Sequence, residues 1–462
     1  MRKSAALLAL LATGCASMQP AYVRPDAAIP ASWPQGDAYL RQTEATLPSV
    51  TYREIFTDPR LQALIEEALV NNRDLMLAAA NIAAAREQYR IQRAQQLPTV
   101  NAVASASADA GGTSDGSEVS TRYDLGVGIS GFELDLFGRL RSLTDVQRNR
   151  YFATESAARA TRLSLVADIA TAWLQYSADA SLLRIAQETV ASAEKSVRLT
   201  RARLEGGIAP RTDLRQAEQV LEAANADAAD QRTALAQDVN LLRLLVGADI
   251  DPKLLPASID QVAPTVKELP AGLDSMILLR RPDVVEAEYQ LRAANAQIGA
   301  ARAALFPRIT LTGLLGLAST SIGGLFSGGA FQWSPGSDVT YTIFQGGAGR
   351  ANVRLSEAQK QATVATYQQT IQRAFREVSD ALARRGTIGE QLRARQAQRE
   401  AAADTYLLTE ARYRNGIDSF LGSLDAQRSY YSAQRTLVQS RLEAATNLVD
   451  LYRSLGGDSL LG

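Results

Sequence analysis

Reactive side chains are scarce in this chain. Among 462 residues there is no histidine and one cysteine, Cys15. Without imidazole no Ser-His-Asp or Cys-His pair and no His-ligated zinc or haem can be built, and one thiol gives neither a cysteine cluster nor an intrachain disulfide. The many carboxylates form no recognisable catalytic pair, and neither a Walker loop nor a dinucleotide glycine fingerprint occurs. The sequence therefore predicts no catalytic, cofactor-binding or metal site and argues against an enzyme. With 49 basic residues balancing 49 acidic ones, there is also no basic footprint for nucleic acid.

What is chemically distinctive is where Cys15 stands. Met1-Arg2-Lys3 supplies a positive segment, Ala5 to Ala12 a short apolar one, and Ala12-Thr13-Gly14-Cys15 small residues ending in cysteine. This reads as an export signal, since a membrane-spanning helix needs about 18 apolar residues. The tetrapeptide resembles a bacterial lipobox, although that pattern prefers Leu where Ala12 stands. Residues 1–14 are then expected to be removed and Cys15 to carry a covalent lipid. Ala16 follows, so the aspartate that retains such proteins in the inner membrane is missing. The plainer alternative is an ordinary export signal followed by a buried cysteine. No later stretch is long and apolar enough for a spanning helix, so any deeper entry into a membrane must use strands.

The elements that follow are laid out twice. Sliding the sequence on itself by 209 places Asp74, Ala84, Gln88, Arg93, Ala94 and Pro98 on Asp283, Ala293, Gln297, Arg302, Ala303 and Pro307, and Gly207-Ile208 on Gly416-Ile417. Beyond that glycine the offset becomes 210, with Leu214 on Leu424 and Gly247 on Gly457. Each copy is too long for a solenoid repeat and must be a large module. The predicted plan is a segment 15–57, a first copy 58–250, a linker 251–275 and a second copy 276–462. Each copy runs helix, strand, loop, strand, long helix, turn, helix.

The first helices, about 58–96 and 276–305, end at Pro98 and Pro307. Strand pairs are expected at 98–109 with 122–135 and at 307–319 with 331–344, separated by Gly/Ser-rich loops at 110–121 and 319–330. Tyr123, Leu125, Val127 and Ile129 alternate with Asp124, Gly126, Gly128 and Ser130, and Phe331, Trp333, Val339, Tyr341 and Ile343 alternate with polar residues. Ten-residue apolar-out, polar-in segments suit membrane strands, with Tyr123, Phe331, Trp333 and Tyr341 near strand ends as interfacial aromatics. A half-buried soluble sheet has the same alternation.

The helices beyond carry a seven-residue repeat. Ile169, Tyr176, Leu183, Val190, Val197 and Leu204 form one seam, Leu214, Leu221, Ala228, Leu235 and Leu242 the returning one, and Leu424, Tyr431, Val438, Ala445 and Tyr452 its second-copy counterpart. Such spacing calls for a left-handed supercoil. A continuous helix from Arg141 to Leu204 would be roughly 95 Å long. The chain should reverse at Gly206-Gly207, before Pro210, and at Asn415-Gly416, where glycine supplies the left-handed conformation that ends a helix. Four strands per chain cannot close a barrel. Two chains would give a filled eight-stranded barrel and three a twelve-stranded one with a lumen.

The chain resembles the TolC-like outer-membrane factors, in the lipoprotein branch that serves tripartite drug-efflux pumps. The residues that carry the resemblance are the lipobox, Phe56-Thr-Asp-Pro-Arg-Leu61, Ala68-Leu-Val-Asn-Asn72, Phe132-Glu-Leu-Asp-Leu-Phe-Gly-Arg139, Leu279-Arg-Arg-Pro-Asp283, Ala304-Leu-Phe-Pro307, Tyr413-Arg-Asn-Gly-Ile417 and Leu424-Asp-Ala-Gln-Arg428. The resemblance runs from Cys15 to the C-terminus. It implies a mixed fold: a long coiled-coil helical tunnel continuous with a twelve-stranded membrane β-barrel, built by a homotrimer, lipid-anchored in the bacterial outer membrane and extending into the periplasm. Segments 20–57, 178–195, 247–275 and 387–402 would form an equatorial belt. The implied partners are a periplasmic adaptor protein, which would touch the turns at Gly206, Gly207, Asn415 and Gly416, and an inner-membrane transporter. The resemblance also places a periplasmic gate at the second turn, where Asp425 matches a family aspartate and Leu421 an apolar constriction. Some members have a second aspartate where this chain has Gly422. Type I protein secretion and a trimeric coiled-coil scaffold are the alternative functions.

Overall fold

The structure, a computed structural model, describes residues 17–30, 32–34, 51–113, 116–267 and 275–457. Cys15 and the export signal lie outside the described residues. The helices are α1 (Tyr52–Ile55), α2 (Pro59–Asn71), α3 (Arg73–Ala94), α4 (Arg139–Glu205), α5 (Arg211–Val246), α6 (Ile259–Val262), α7 (Pro282–Ala303), α8 (Ala348–Arg414) and α9 (Phe420–Ser454). The strands are β1 (Val100–Thr113), β2 (Gly116–Glu133), β3 (Arg308–Ser319) and β4 (Phe331–Thr340). No described helix is long and apolar enough to cross a membrane.

Two compact units emerge. One comprises residues 1–26, 80–155 and 286–369, the other 27–79, 156–285 and 370–462. The first holds a four-stranded antiparallel sheet in the order β1-β2-β3-β4, so that β2 of the first copy pairs with β3 of the second. Its base is fixed by Glu133, which accepts two hydrogen bonds from Arg139 at 2.8 and 2.7 Å and pairs with Arg308 at 2.7 Å. That carboxylate thus ties the end of β2 to the starts of α4 and β3.

The second unit holds the coiled-coil helices and the main core. Of the predicted seam residues, Val166, Ile169, Trp173, Val197, Ala228, Leu242, Leu424, Val438, Ala445 and Tyr452 are buried, whereas Tyr176, Leu183, Val190, Leu204, Leu214, Leu221, Leu235 and Tyr431 are half-buried. Trp173 also donates from Nε1 to the Leu254 carbonyl at 2.9 Å, which pins the 247–267 stretch against α4. Phe56, Leu61, Leu64, Ile65 and Ile259 are fully buried in the same unit, Arg60 lies over the Trp173 ring, and Phe56 stacks edge-on against Tyr452 and bridges to Val266.

Several predicted boundaries are corrected. The helix expected over 58–96 breaks at Asn72, which is extended (ψ 132°) and whose side-chain oxygen caps α3 by accepting from Asp74 and Leu75 at 2.9 and 3.0 Å. The helix expected from 276 is preceded by a 3-10 turn over Ser275–Arg280 and starts at Pro282. The expected loop 110–121 is mostly strand, since β1 pairs with β2 as far as Thr113 opposite Gly116. The small residues there lack side-chain alternation but can still make ladder hydrogen bonds. β4 ends at Thr340 rather than 344, because its partner β3 begins at Arg308, opposite Thr340.

Candidate functional site

The sheet of the first unit sorts its side chains by face. Cross-strand register aligns Ala102, Val127, Leu315 and Trp333 in one row and Ala104, Leu125, Leu317 and Phe331 in the next. Most of this face is open: Val127 is 51% exposed, Leu315 56%, Phe331 61% and Trp333 69%. Rows on the opposite face hold Asn101, Gly128, Leu314 and Ser334, or Val103, Gly126, Gly316 and Gln332. Glycine there permits close strand approach, since a Cβ on Gly316 would lie 2.4 Å from the Leu125 carbonyl oxygen. A face of large exposed apolar side chains backed by one that, apart from Val103 and Leu314, is glycine and polar residues is the arrangement of a strand set between lipid and a lumen.

The aromatics fall at two levels along the strands. Phe331 and Trp333 open β4, and Tyr123, on the same face, pairs with Ser319 at the end of β3. Tyr123 was expected near a strand end; it is interior to β2, because β2 begins at Gly116, yet it stands level with the end of its neighbour. Tyr341 lies one residue beyond β4 at the other end and is 57% exposed. Ten residues separate Phe331 from Tyr341, about 33 Å of strand, which at a tilt of about 40° spans roughly 25 Å, the height of an outer-membrane apolar band.

In the second unit the two predicted turns share one backbone solution. α4 ends with Ile208 N–H donating to the Arg203 carbonyl at 2.9 Å and Gly207 at φ 72°; α8 ends with Ile417 N–H donating to the Arg412 carbonyl at 2.9 Å and Gly416 at φ 73°. This six-to-one closure with a left-handed glycine is why each helix stops there. Gly206 and Asn415 precede those glycines, and the Asn415 side chain donates to the Ala411 carbonyl at 2.8 Å. Val197, Ala217, Tyr413, Phe420 and Leu424 form a buried cluster that joins α4, α5, α8 and α9 at this end.

Leu421 and Asp425 stand four residues apart on the exposed face of α9, and Leu421 is 55% exposed, while Leu424 between them is buried in the seam. The structure thus brings the two predicted gate residues onto one outward stripe. Sequence reasoning missed Arg203, whose guanidinium lies 4.6 Å from the centre of the Tyr413 ring and whose Nη2 donates to the Arg414 carbonyl at 3.5 Å. Tyr413 opens the Tyr413–Ile417 motif, but nothing in the sequence pairs it with an arginine 210 positions earlier.

Comparison with known proteins adds an independent line. The sequence family described as "Outer membrane efflux protein" matches residues 64–248 and 273–457, two segments whose bounds differ by the same 209 residues as the internal repeat. The chain is 45% identical over 461 residues to the antibiotic efflux pump outer membrane protein ArpC of Pseudomonas putida, covering 98% of this chain and 95% of that one. It is 44% identical, with the same coverage, to the toluene efflux pump outer membrane protein TtgC of Pseudomonas putida. Its fold is similar to that of the Neisseria gonorrhoeae MtrE outer membrane channel, solved in that protein's open state, with a TM-score of 0.85, 35% identity, and coverage of 96% of this chain and 98% of that one.

Proposed function

The chain belongs to the outer membrane efflux protein family, and from that premise we propose that three copies assemble into the outer-membrane exit duct of a tripartite efflux system. The observation that carries this reading is the open sheet. Its four strands end in β1 on one side and β4 on the other, and its apolar face is exposed. In lipid, unpaired strand edges are costly, and three copies of four strands close into a twelve-stranded barrel wide enough for a lumen. The paired seams of the second unit would supply the tunnel walls.

In this assembly the duct is passive. A periplasmic adaptor would contact the helical turns around Gly206, Gly207, Asn415 and Gly416, and an inner-membrane transporter would supply the energy. Cys15 would carry the covalent lipid, and Tyr123, Phe331, Trp333 and Tyr341 would sit at the membrane interfaces. Three Leu421 side chains would form an apolar ring at the periplasmic mouth. Three Asp425 carboxylates would form an adjacent ring that attracts cations and repels itself. The names of the relatives favour small-molecule efflux over protein secretion.

The test is twofold. Native mass measurement in detergent should give a trimer, and deleting the protein from its host should raise intracellular accumulation of an efflux dye, restored by the parent chain. A monodisperse monomer that leaves dye accumulation unchanged would overturn the reading.

A further inference from the structure

Two cavities adjoin in the first unit, where the sheet meets its helices. The first is lined by Arg308, Thr310, Asp338 and Thr340, which stand on the same sheet face as Gly316 and Gln332. The second, of about 520 Å³, lies between the start of α4, the end of α7 and the start of α8. It shares Arg139, Ala304, Leu305 and Gln345 with the first. The exposed Val127, Leu315 and Trp333 are on the other face of the sheet, so both cavities belong to its polar side.

The second cavity combines apolar walls with positive charge. Leu143, Leu305 and Leu355 supply the walls. A Cβ on Gly349 would sit 2.7 Å from Leu305 Cδ2, so glycine there lets Leu305 lie against the first turn of α8. Gln297 and Asn352 add amides, Arg139 and Arg150 are the charged groups, and among the described residues no carboxylate lines the space. Glu133 divides its carboxylate between Arg139 and Arg308, so it offsets only one of those two charges. Arg150 has no ion-pair partner among the described residues. A largely apolar cleft of about 300–1,000 Å³ with a few convergent polar groups is the usual form of a small-molecule site. The first copy lacks the room: at the repeat offset Ala300, Ala301, Ala304 and Gly349 correspond to Ile91, Gln92, Gln95 and Leu140.

We propose that the cavity between α4, α7 and α8 is a wall site for amphipathic organic anions, an apolar body bearing a carboxylate, as they pass through the duct. This rests on the exit-duct reading above, which turns the polar sheet face toward the lumen. The carboxylate meets Arg150, whose planar guanidinium can donate two parallel hydrogen bonds to it, while the apolar body lies against the leucines. A cation of the same shape meets two guanidinium groups and no acid, so charge decides which molecules of one shape are held.

The experiment uses the full-length protein in lipid nanodiscs and a fluorinated naphthoate read by fluorine NMR. Unlabelled naphthoate should displace the probe, and naphthylmethylamine, a cation of matching shape, should not. Arg150→Gln should weaken binding at least about tenfold, the worth of a hydrogen bond to a charged group. Ala301→Gln with Ala304→Gln, which installs the first-copy residues, should abolish it, and Arg354→Gln, on α8 but outside the cavity, should leave it unchanged. Circular dichroism identical to the parent separates loss of the site from misfolding, and Arg150→Gln, at an exposed position, carries the test if the double variant misfolds. In planar bilayers naphthoate should reduce the parent's single-channel current but not that of Arg150→Gln. Equal binding of the amine, binding indifferent to Arg150→Gln, or a channel whose current ignores bound naphthoate each overturns the proposal. A chain that forms no channel yet binds naphthoate through Arg150 overturns the duct reading and leaves the cavity's ligand standing.

Discussion

The two helical turns start from the same backbone and end with different surfaces. Gly207 and Gly416 have φ values within a degree of each other, and the closing hydrogen bonds have equal lengths. At the repeat offset, however, Leu421 corresponds to Arg211 and Asp425 to Arg215. Arg215 is matched by Glu218 at 2.6 Å, whereas Asp425 has no ion-pair partner among the described residues. Arg412 folds back onto Asp418 of its own turn at 2.6 Å, while its counterpart Arg203 reaches across to Tyr413. Duplication kept the reversal and let the side chains diverge, so that one turn carries an unpaired acid and an apolar side chain and the other two arginines, of which Arg215 is paired with Glu218.

The same divergence occurs inside the coil, where the largest effect is expected. Asp238 of α5 lies against Asp179 of α4, and burial, then the Asp179 charge, push its carboxyl up to about 7. The second-copy positions at the repeat offset are Ile388 and Leu448, both buried. A carboxyl whose folded value is raised above its unfolded one binds a proton in the folded state that the unfolded chain has already lost, so stability falls as pH rises from about 4 to 7. Thermal melting should therefore be higher at pH 5 than at pH 8. Replacing the pair by their second-copy counterparts, Asp179→Ile with Asp238→Leu, should raise the melting temperature at pH 8 and flatten the dependence.

Gly207→Ala and Gly416→Ala should each cost about 1–2 kcal/mol, the penalty of a side chain in left-handed backbone. Equal losses in denaturant melts would confirm that the turns are equivalent as backbone; a marked inequality would break the comparison. Arg203→Ala should cost less, about 0.5–1 kcal/mol for an exposed cation over a ring, and should raise hydrogen exchange at the end of α8 more than at the start of α5. Arg215→Ala is expected to change stability by less than about 1 kcal/mol, because its ion pair is solvent-exposed.

Where a local pattern decides the outcome, the sequence was legible. Leu125 and Val127 alternate with glycines and lie on an exposed sheet face, and Ile169, Leu242 and Leu424 fell in buried seams because heptad spacing leaves them nowhere else to point. The β1–β2 hairpin outgrew its expected length because its Ala, Ser and Gly residues carry no periodic signal, although their backbones pair. Asn72 broke a helix that composition made continuous, since its side chain caps the next one. The Arg24–Glu288 pair and the Arg203–Tyr413 contact join residues more than 200 positions apart, and neither has a spacing that sequence alone could read.

In the proposed assembly the second-copy turn, and not the first, lines the mouth of the channel. Single-channel recording in planar bilayers tests it with two double variants. Leu421→Ala with Asp425→Ala should raise conductance and weaken cation selectivity, while Arg211→Ala with Arg215→Ala should leave both at the parent's values. The reverse pattern, or two variants indistinguishable from the parent, would contradict the account.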